Sequence, residues 1–313
     1  MPFTERRAYS AGHFELTIDN TATPAFVKSV EGGFMKLNSS DVQGGADAIR
    51  VKHTTTREVE AMTFDIGMSE VNALMLWIAQ SWRREFNRKS GHIIHADQNY
   101  KAQLQHNFYD ALIEEVTVPA LDASSKEALF LKVKIRPERI ELLDGDQARL
   151  QVPHLGRQKL WQASAFRLTL DNGVDVSKGF KIDSFTIKQG IKPVTAGRSH
   201  RSTFPELEPT KIDFPDLKIH MTMAHAGAVL EWYKMVVIEG LPETEFETTG
   251  AIEFLGPDRQ KVLGKINLYG VGIKGFNIGK SEANSDQMKR CTFDLYVSHM
   301  GLMDDDIRMQ LEG

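Results

Sequence analysis

One cysteine, Cys291, stands in 313 residues. That excludes a disulfide framework and any zinc module built on paired cysteines. Charge of one sign is also missing: 38 basic side chains face 42 acidic ones, for a net charge of −4. A general binder of nucleic acid or anionic membrane needs a basic excess or stripe, which this chain does not have. No uncharged apolar run approaches the ~18–20 residues of a membrane span. The opening Met1-Pro2-Phe3-Thr4-Glu5-Arg6-Arg7 has no apolar stretch behind its arginines, so it does not read as a secretory signal. No Gly-x-Ser-x-Gly elbow is present. The expectation is a soluble protein folded in a reducing compartment. At roughly 150 residues per domain, the length predicts two domains.

What the chain does have is a repeat of itself, which must be read before any fold is assigned. Phe14-Glu15-Leu16-Thr17-Ile18-Asp19-Asn20 returns as Phe166-Arg167-Leu168-Thr169-Leu170-Asp171-Asn172, 152 residues later. Met75-Leu76-Trp77-Ile78 faces Leu230-Glu231-Trp232-Tyr233 at an offset of 155. Asn107-Phe108-Tyr109 faces Asn267-Leu268-Tyr269 at 160, with Ile113 facing Ile273. Leu131-Lys132-Val133-Lys134-Ile135 is aligned with Phe293-Asp294-Leu295-Tyr296-Val297 at 162. A slowly rising offset is what small loop insertions produce. The expected organisation is two copies of one domain, residues 1–150 and 157–313, joined by a short linker around Gln151, Pro153, Gly156 and Gln158.

Within each copy the apolar period is mainly two. Phe14, Leu16 and Ile18 alternate with polar residues, as do Phe166, Leu168 and Leu170, and Leu131, Val133 and Ile135. Such alternation marks strands with one buried and one wet face. One segment per copy changes period: Val71, Leu74, Met75, Ile78, Trp82 and Phe86 trace an amphipathic helix with Ser69 as its N-cap. Its counterpart runs through Ala228, Val229, Trp232, Tyr233 and Val236 and ends near Gly240-Leu241-Pro242. The predicted fold class is therefore mainly β (α+β): two tandem small antiparallel β-barrels or sandwiches, each with one main flanking α-helix. Two polar stretches, 37–58 and 192–214, interrupt the pattern at equivalent places and are expected to be long loops with a shared structural job.

Candidate chemistry is sparse. Gly275-Phe276-Asn277-Ile278-Gly279-Lys280-Ser281 has three residues between its glycines where a phosphate loop needs four, so it reads as a glycine-rich turn. His92 and His95 lie three apart with His106 nearby. No glutamate completes a zincin pattern, and a surface or interface role is expected. Asp304-Asp305-Asp306 lacks the spacing of a calcium loop and reads as a solvated tail. Cys291 precedes a strand and is expected to be structural. Glu114-Glu115 is a carboxylate pair with no evident pocket, and Trp77 and Trp232 are expected to pack in the cores. No catalytic, cofactor-binding or metal-ligating residue is assigned, and no cofactor is expected.

These residues resemble the inner tail tube proteins of contractile phages and bacterial contractile injection systems. The resemblance lies in the strand Phe14 to Asn20, then Lys28-Ser29-Val30-Glu31-Gly32-Gly33. It continues through the strand and helix from Met62 to Trp77, and Phe108-Tyr109-Asp110-Ala111-Leu112-Ile113-Glu114-Glu115-Val116-Thr117-Val118-Pro119-Ala120-Leu121-Asp122. It ends with Lys132-Val133-Lys134-Ile135-Arg136-Pro137-Glu138. It covers nearly all of the first copy. The second copy is more divergent: Gly279 stands in place of Pro119, and the Ala-Leu-Asp element is absent.

The resemblance implies a small β-barrel with a flanking helix, six of which form a ring whose sheets join into a tube wall. The long stretch of each module reaches the next ring, and there is no active site. It implies a structural subunit of a phage tail or injection-system particle, assembled in the bacterial cytoplasm. Two modules per chain imply that three chains supply six modules in a trimeric pseudo-hexameric ring, where an ordinary subunit would give a hexameric one. Such rings stack as the inner tube or as its baseplate-proximal hub. The implied partners are further copies of the chain and tail tube, sheath, baseplate or spike proteins. DNA or protein cargo would pass the lumen without specific binding, which the small negative charge suits. The alternative reading is a β-sandwich receptor- or carbohydrate-binding tail module. Against it, the stretches 37–58 and 192–214 hold two phenylalanines, Phe204 and Phe214, and no tryptophan or tyrosine. Closing edge strands against neighbours in a ring also removes the liability that free edges carry.

Overall fold

The computed structural model describes residues 12–22, 26–43, 50–68, 73–150, 160–194, 205–242, 246–279 and 288–303. Met1–Arg7, the N-cap Ser69, the linker at 151–158 and the acidic run Asp304-Asp305-Asp306 lie outside the described residues.

The first unit runs β1 (His13–Ile18), β2 (Thr21–Ala22), β3 (Val27–Gly32), β4 (Met35–Gln43), β5 (Arg50–Val59), β6 (Met62–Gly67) and α1 (Ala73–Trp82). It continues through β7 (Lys89–Ala96), β8 (Ala102–Val118), β9 (Leu121–Asp122), β10 (Phe130–Arg136) and β11 (Arg139–Asp144). The second runs β12 (Phe166–Leu170), β13 (Lys181–Ile182), β14 (Phe185–Val194), β15 (Glu206–Asp213), β16 (Leu217–Thr222) and α2 (Gly227–Tyr233). A π turn (Lys234–Ile238) extends α2, followed by β17 (Thr248–Leu255), β18 (Val262–Ile278) and β19 (Arg290–Leu302). All pairings among the described residues are antiparallel.

The two units share one strand order. In the first it is β1-β7-β8-β10-β6-β3, and in the second β12-β17-β18-β19-β16-β13. Irregularities recur with it. A bulge interrupts β7–β8 between Lys89 and Gly91, and β17–β18 between Thr248 and Gly250. Another falls between Lys134 and Ile135, and at Ile273/Gly275 where β18 meets β19. The bulges also correct one sequence alignment. Ile135 pairs with Ile113 and Leu295 with Ile273, so the last strands correspond at an offset of 160 and not 162. A slip of two keeps the same face buried, which is why alternation alone did not detect it.

The cores follow the period-two pattern. Leu16, Ile18, Leu131, Val133 and Ile135 are buried, as are Leu168, Phe293 and Leu295. Trp77 and Trp232 sit at matching helix positions and both are buried. The two helices differ in how they are covered. α1 buries Leu74, Met75, Trp77, Ile78, Ala79, Ser81 and Trp82, most of its circumference, because it packs against both β8 and β19 of the second unit. α2 rests on β18, and in its π turn only Val236 is buried. Phe86 lies beyond the end of α1, with a positive φ.

Among the described residues the polar stretches are strands: 37–43 and 50–58 lie in the hairpin β4–β5, and 192–194 and 206–213 in the hairpin β14–β15. The described part of 37–58 is largely wet on both faces, and that of 192–214 buries only Leu207 and Ile212, five residues apart and so out of step with a period of two, while β-branched Thr still favours extended backbone. Gly275-Phe276-Asn277-Ile278 belongs to β18 and not to a turn. Lys280 and Ser281 are outside the described residues.

Candidate assembly interface

The two units are joined by strand pairing. The C-terminal half of β8 has β10 on one edge and accepts β14 of the second unit on the other. Phe185 pairs with Val118, Thr186 with Thr117, Ile187 with Val116 and Lys188 with Glu115. The hairpin β14–β15 thus extends the sheet of the first unit. In return, β9 of the first unit pairs with β13 and ends the sheet of the second. Each unit lends a strand to the other, so edges that would be open are closed inside one chain.

Side chains fix the register of the β8–β14 seam. The Thr117 and Thr186 hydroxyls meet at 2.9 Å across it. Ile187 is 2% exposed and Phe185 is buried beside it. Gln189, 6% exposed, accepts a 2.7 Å hydrogen bond at Oε1 from the Ser81 hydroxyl on α1, while its Nε2 is left without a partner. Further along the hairpin, the backbone N–H of Leu207 donates to Glu138 Oε1 at 2.9 Å, and the Arg88 guanidinium donates to the Leu207 carbonyl. Arg88 also pairs with Glu138 at 3.3 Å. Charge-assisted hydrogen bonds to backbone at a half-buried seam resist sliding of the hairpin along its neighbour. The chain after the linker completes the join. Trp161 donates its backbone N–H to Met68 O, and its ring lies 5.3 Å from that of Phe254.

The residues singled out in the sequence are dispersed. His106 is buried in β8, with Nε2 2.6 Å from Gly33 O and its ring 6.4 Å from that of His95, so its expected surface or interface role gives way to core packing. Burial, with the neighbouring His106, pushes His95 down to about 4, and burial lowers His92 and His106 as well. Such groups prefer to stay neutral. No cluster of three or more His, Cys, Asp or Glu with metal-binding arrangement occurs among the described residues. Cys291 is buried with its thiol 3.4 Å from Met221 O, and burial raises its pKa, the opposite of an activated nucleophile. Glu114 pairs with Arg136 at 2.8 Å, and Lys134 lies 3.5 Å from both Glu114 and Glu115, so the carboxylate pair is consumed on the sheet surface. No sequence signal pointed to Ser81, Gln189, Arg88 or Glu138, because each gains its role from a partner more than forty residues away.

The sequence model of the T4-like virus tail tube protein gp19 family matches residues 10–141. No curated protein matches the chain. Among solved structures, the chain is similar to a protein of the PVC extracellular contractile injection system sheath–tube complex in the extended state. Identity is 16% and the TM-score 0.39, over 44% of this chain and 92% of that one. A protein of the anti-feeding prophage baseplate is 16% identical with a TM-score of 0.39, over 45% of this chain and 98% of that one. Hcp1 from Flavobacterium johnsoniae is 12% identical with a TM-score of 0.26, over 44% and 93%. The similarity to the T4-like virus tail tube family thus lies in the first unit, over residues 10–141.

Proposed function

We propose that this chain is a structural subunit of a contractile tail or injection-system particle that carries two tube modules, residues 1–150 and 157–313. Three chains supply six modules to a pseudo-hexameric ring, and rings stack as the inner tube or its baseplate-proximal hub. The observation that carries this reading is the β8–β14 seam. One tube-family unit and a second unit of the same strand order are joined edge to edge by strand exchange, the kind of junction a ring needs at every step. The outer parts of hairpins β4–β5 and β14–β15 are largely wet and suit contact with a neighbouring ring. The chain is not an enzyme: its chemistry-bearing residues are spent on packing and surface ion pairs.

Native mass spectrometry of the purified protein, with negative-stain imaging, tests this. Closed three-chain particles with six lobes around an open centre support it. A monomer that stays a monomer at the highest attainable concentration overturns it.

A further inference from the structure

Turns at the same place in the two units differ by one residue that changes their chemistry. After β1 the chain reads Asp19-Asn20-Thr21, and after β12 it reads Asp171-Asn172-Gly173. In the first, Asp19 and Asn20 both take positive φ, and Thr21 is already in β2, paired with Ile18. The amide that follows Asn20 is therefore held in a ladder, with a stiff β-branched side chain beside it. In the second, no strand follows directly. The positive φ passes to Gly173, at +80°, and neither Asp171 nor Asn172 has one. Asn172 is the one asparagine of the chain that precedes a glycine.

Asn172 and Gly173 are both exposed. A Cβ built on Gly173 would meet nothing within 4 Å, and among the described residues the Gly173 N–H has no acceptor. That nitrogen is sterically open, as only glycine allows. The Asn172 carboxamide, by contrast, is pinned. Its Oδ1 accepts a 3.1 Å hydrogen bond from the Val174 N–H, which folds the side chain back along the main chain. The same N–H faces the oxygen on which negative charge gathers when the carboxamide carbon is attacked. The turn is anchored upstream: Asp171 donates its N–H to Thr249 O at 2.9 Å, and the Thr249 hydroxyl donates to the Asp171 carboxylate. A held electrophile, an open nucleophile and a donor for the developing oxyanion thus share one short turn. Gly145, which follows Asp144, shows the opposite case. Its N–H donates to Gln103 O at 2.9 Å, and a Cβ there would overlap the Ala102 carbonyl oxygen.

We propose that Asn172 is a site of spontaneous covalent modification, deamidation through a cyclic imide formed with Gly173. Hydroxide takes the proton of the Gly173 N–H, and the nitrogen forms a bond to Asn172 Cγ. The Cγ–Nδ2 bond breaks, and Nδ2 leaves as ammonia after taking a proton from water. A second water then opens the imide. Cleavage at Cγ gives aspartate, and cleavage at the main-chain carbonyl carbon gives isoaspartate. The net change is one water in and one ammonia out, with nothing oxidised or reduced. Either product places a new carboxylate between Asp171 and Asp175. Isoaspartate also routes the main chain through Cβ, lengthening it by a methylene just past β12, the end strand of its sheet. The turn thus carries a slow, one-way change of charge and backbone that its counterpart at Asn20 does not.

Peptide mapping of the full chain tests this. The purified protein is held at mildly alkaline pH, sampled over time and digested. Its peptides are followed by mass spectrometry, and isoaspartate is counted with an isoaspartyl methyltransferase. The expected result is exchange of NH for O at Asn172, as two products, at least about tenfold faster than at Asn20 and within about threefold of the rate in urea. Asn20 should react more slowly in the native protein than in urea, because its turn is held in a hairpin. Asn172→Gln keeps Gly173 and its φ, and should abolish both the new peptides and the acidic shift on isoelectric focusing. An Asn172 that survives in the native protein while it reacts in urea overturns the proposal. So does an Asn172 that reacts no faster than Asn20, or an acidic shift that persists in Asn172→Gln.

Discussion

Two glycines at equivalent bulges offer a sharp test of the repeated packing. Gly91 in β7 and Gly250 in β17 each follow a register shift. A Cβ on Gly91 would overlap the Thr17 carbonyl oxygen and come within 2.7 Å of Phe108 Cζ. A Cβ on Gly250 would overlap the Thr169 carbonyl oxygen and come within 2.9 Å of Leu170 Cδ2. Thr17 and Thr169 are themselves counterparts in the repeat. Two effects oppose each other in Gly→Ala. Alanine restricts the unfolded chain, worth about 0.4–1 kcal/mol in favour of the fold. Overpacking a tight interior costs about 1–3 kcal/mol, and here the nearest atom is backbone in a sheet, which yields less readily than a side-chain tip. The clash wins, leaving a net loss of about 1–2 kcal/mol, or roughly 2–8 °C in Tm for a unit of this size. Gly227, which opens α2 with nothing within 4 Å of its missing Cβ, is the control. Gly227→Ala should hold or raise Tm, because Ala is a better helix former by about 1 kcal/mol. Melts followed by circular dichroism on the three variants decide it. If Gly91→Ala and Gly250→Ala both melt within 1 °C of the parent, the bulge geometry described above is wrong.

Ser81→Val alone should destabilise the protein by about 1–3 kcal/mol, because it strips the buried Gln189 side chain of the one hydrogen bond it makes among the described residues. Adding Gln189→Leu should restore most of that loss, a coupling measurable by a denaturant double-mutant cycle. Burial holds His95 near 4, below its unfolded value of about 6.5. The unfolded chain therefore binds the extra proton first, and stability should be level above 6.5 and fall as pH drops from there toward 4. His95→Gln should flatten that slope in urea titrations at stepped pH. Leu37→Lys should shift the monomer's stability by under about 0.5 kcal/mol, since the side chain is exposed. A larger shift would mean that Leu37 is packed within its own unit. Buried Cys291 should react with a thiol reagent only at the rate of unfolding; rapid modification of the native protein would contradict its position.

The tube-like unit was legible from local pattern. Phe14, Leu16, Ile18 and Leu131, Val133, Ile135 announced their strands because each has one wet face. Trp77 and Trp232 announced the helices because their neighbours step by three and four. The hairpins at 37–58 and 192–214 were illegible because β4 and β5 are wet on both faces and have no alternation, and because the buried Leu207 and Ile212 of β15 lie an odd five residues apart, so polarity read as loop. The two-residue slip at 131–135 was hidden because it preserves which side faces in. Gly275–Ile278 read as a turn because glycine content outweighed a pattern that only its pairing with β19 makes plain.

The amino-acid sequence alone pointed to a repeat, to a mainly β fold with flanking helices, and to the resemblance of its first part to a tail tube subunit. Those conclusions rest on period, spacing and residue identity, all of which act over short range. Only the tertiary structure decided that β14 closes the edge of β8, that Ser81 meets Gln189 108 residues away, and that β4 and the edge of β18 are left without a strand partner among the described residues. Edge pairing joins backbone groups that every residue carries, so its partner is set by where the folded sheets end.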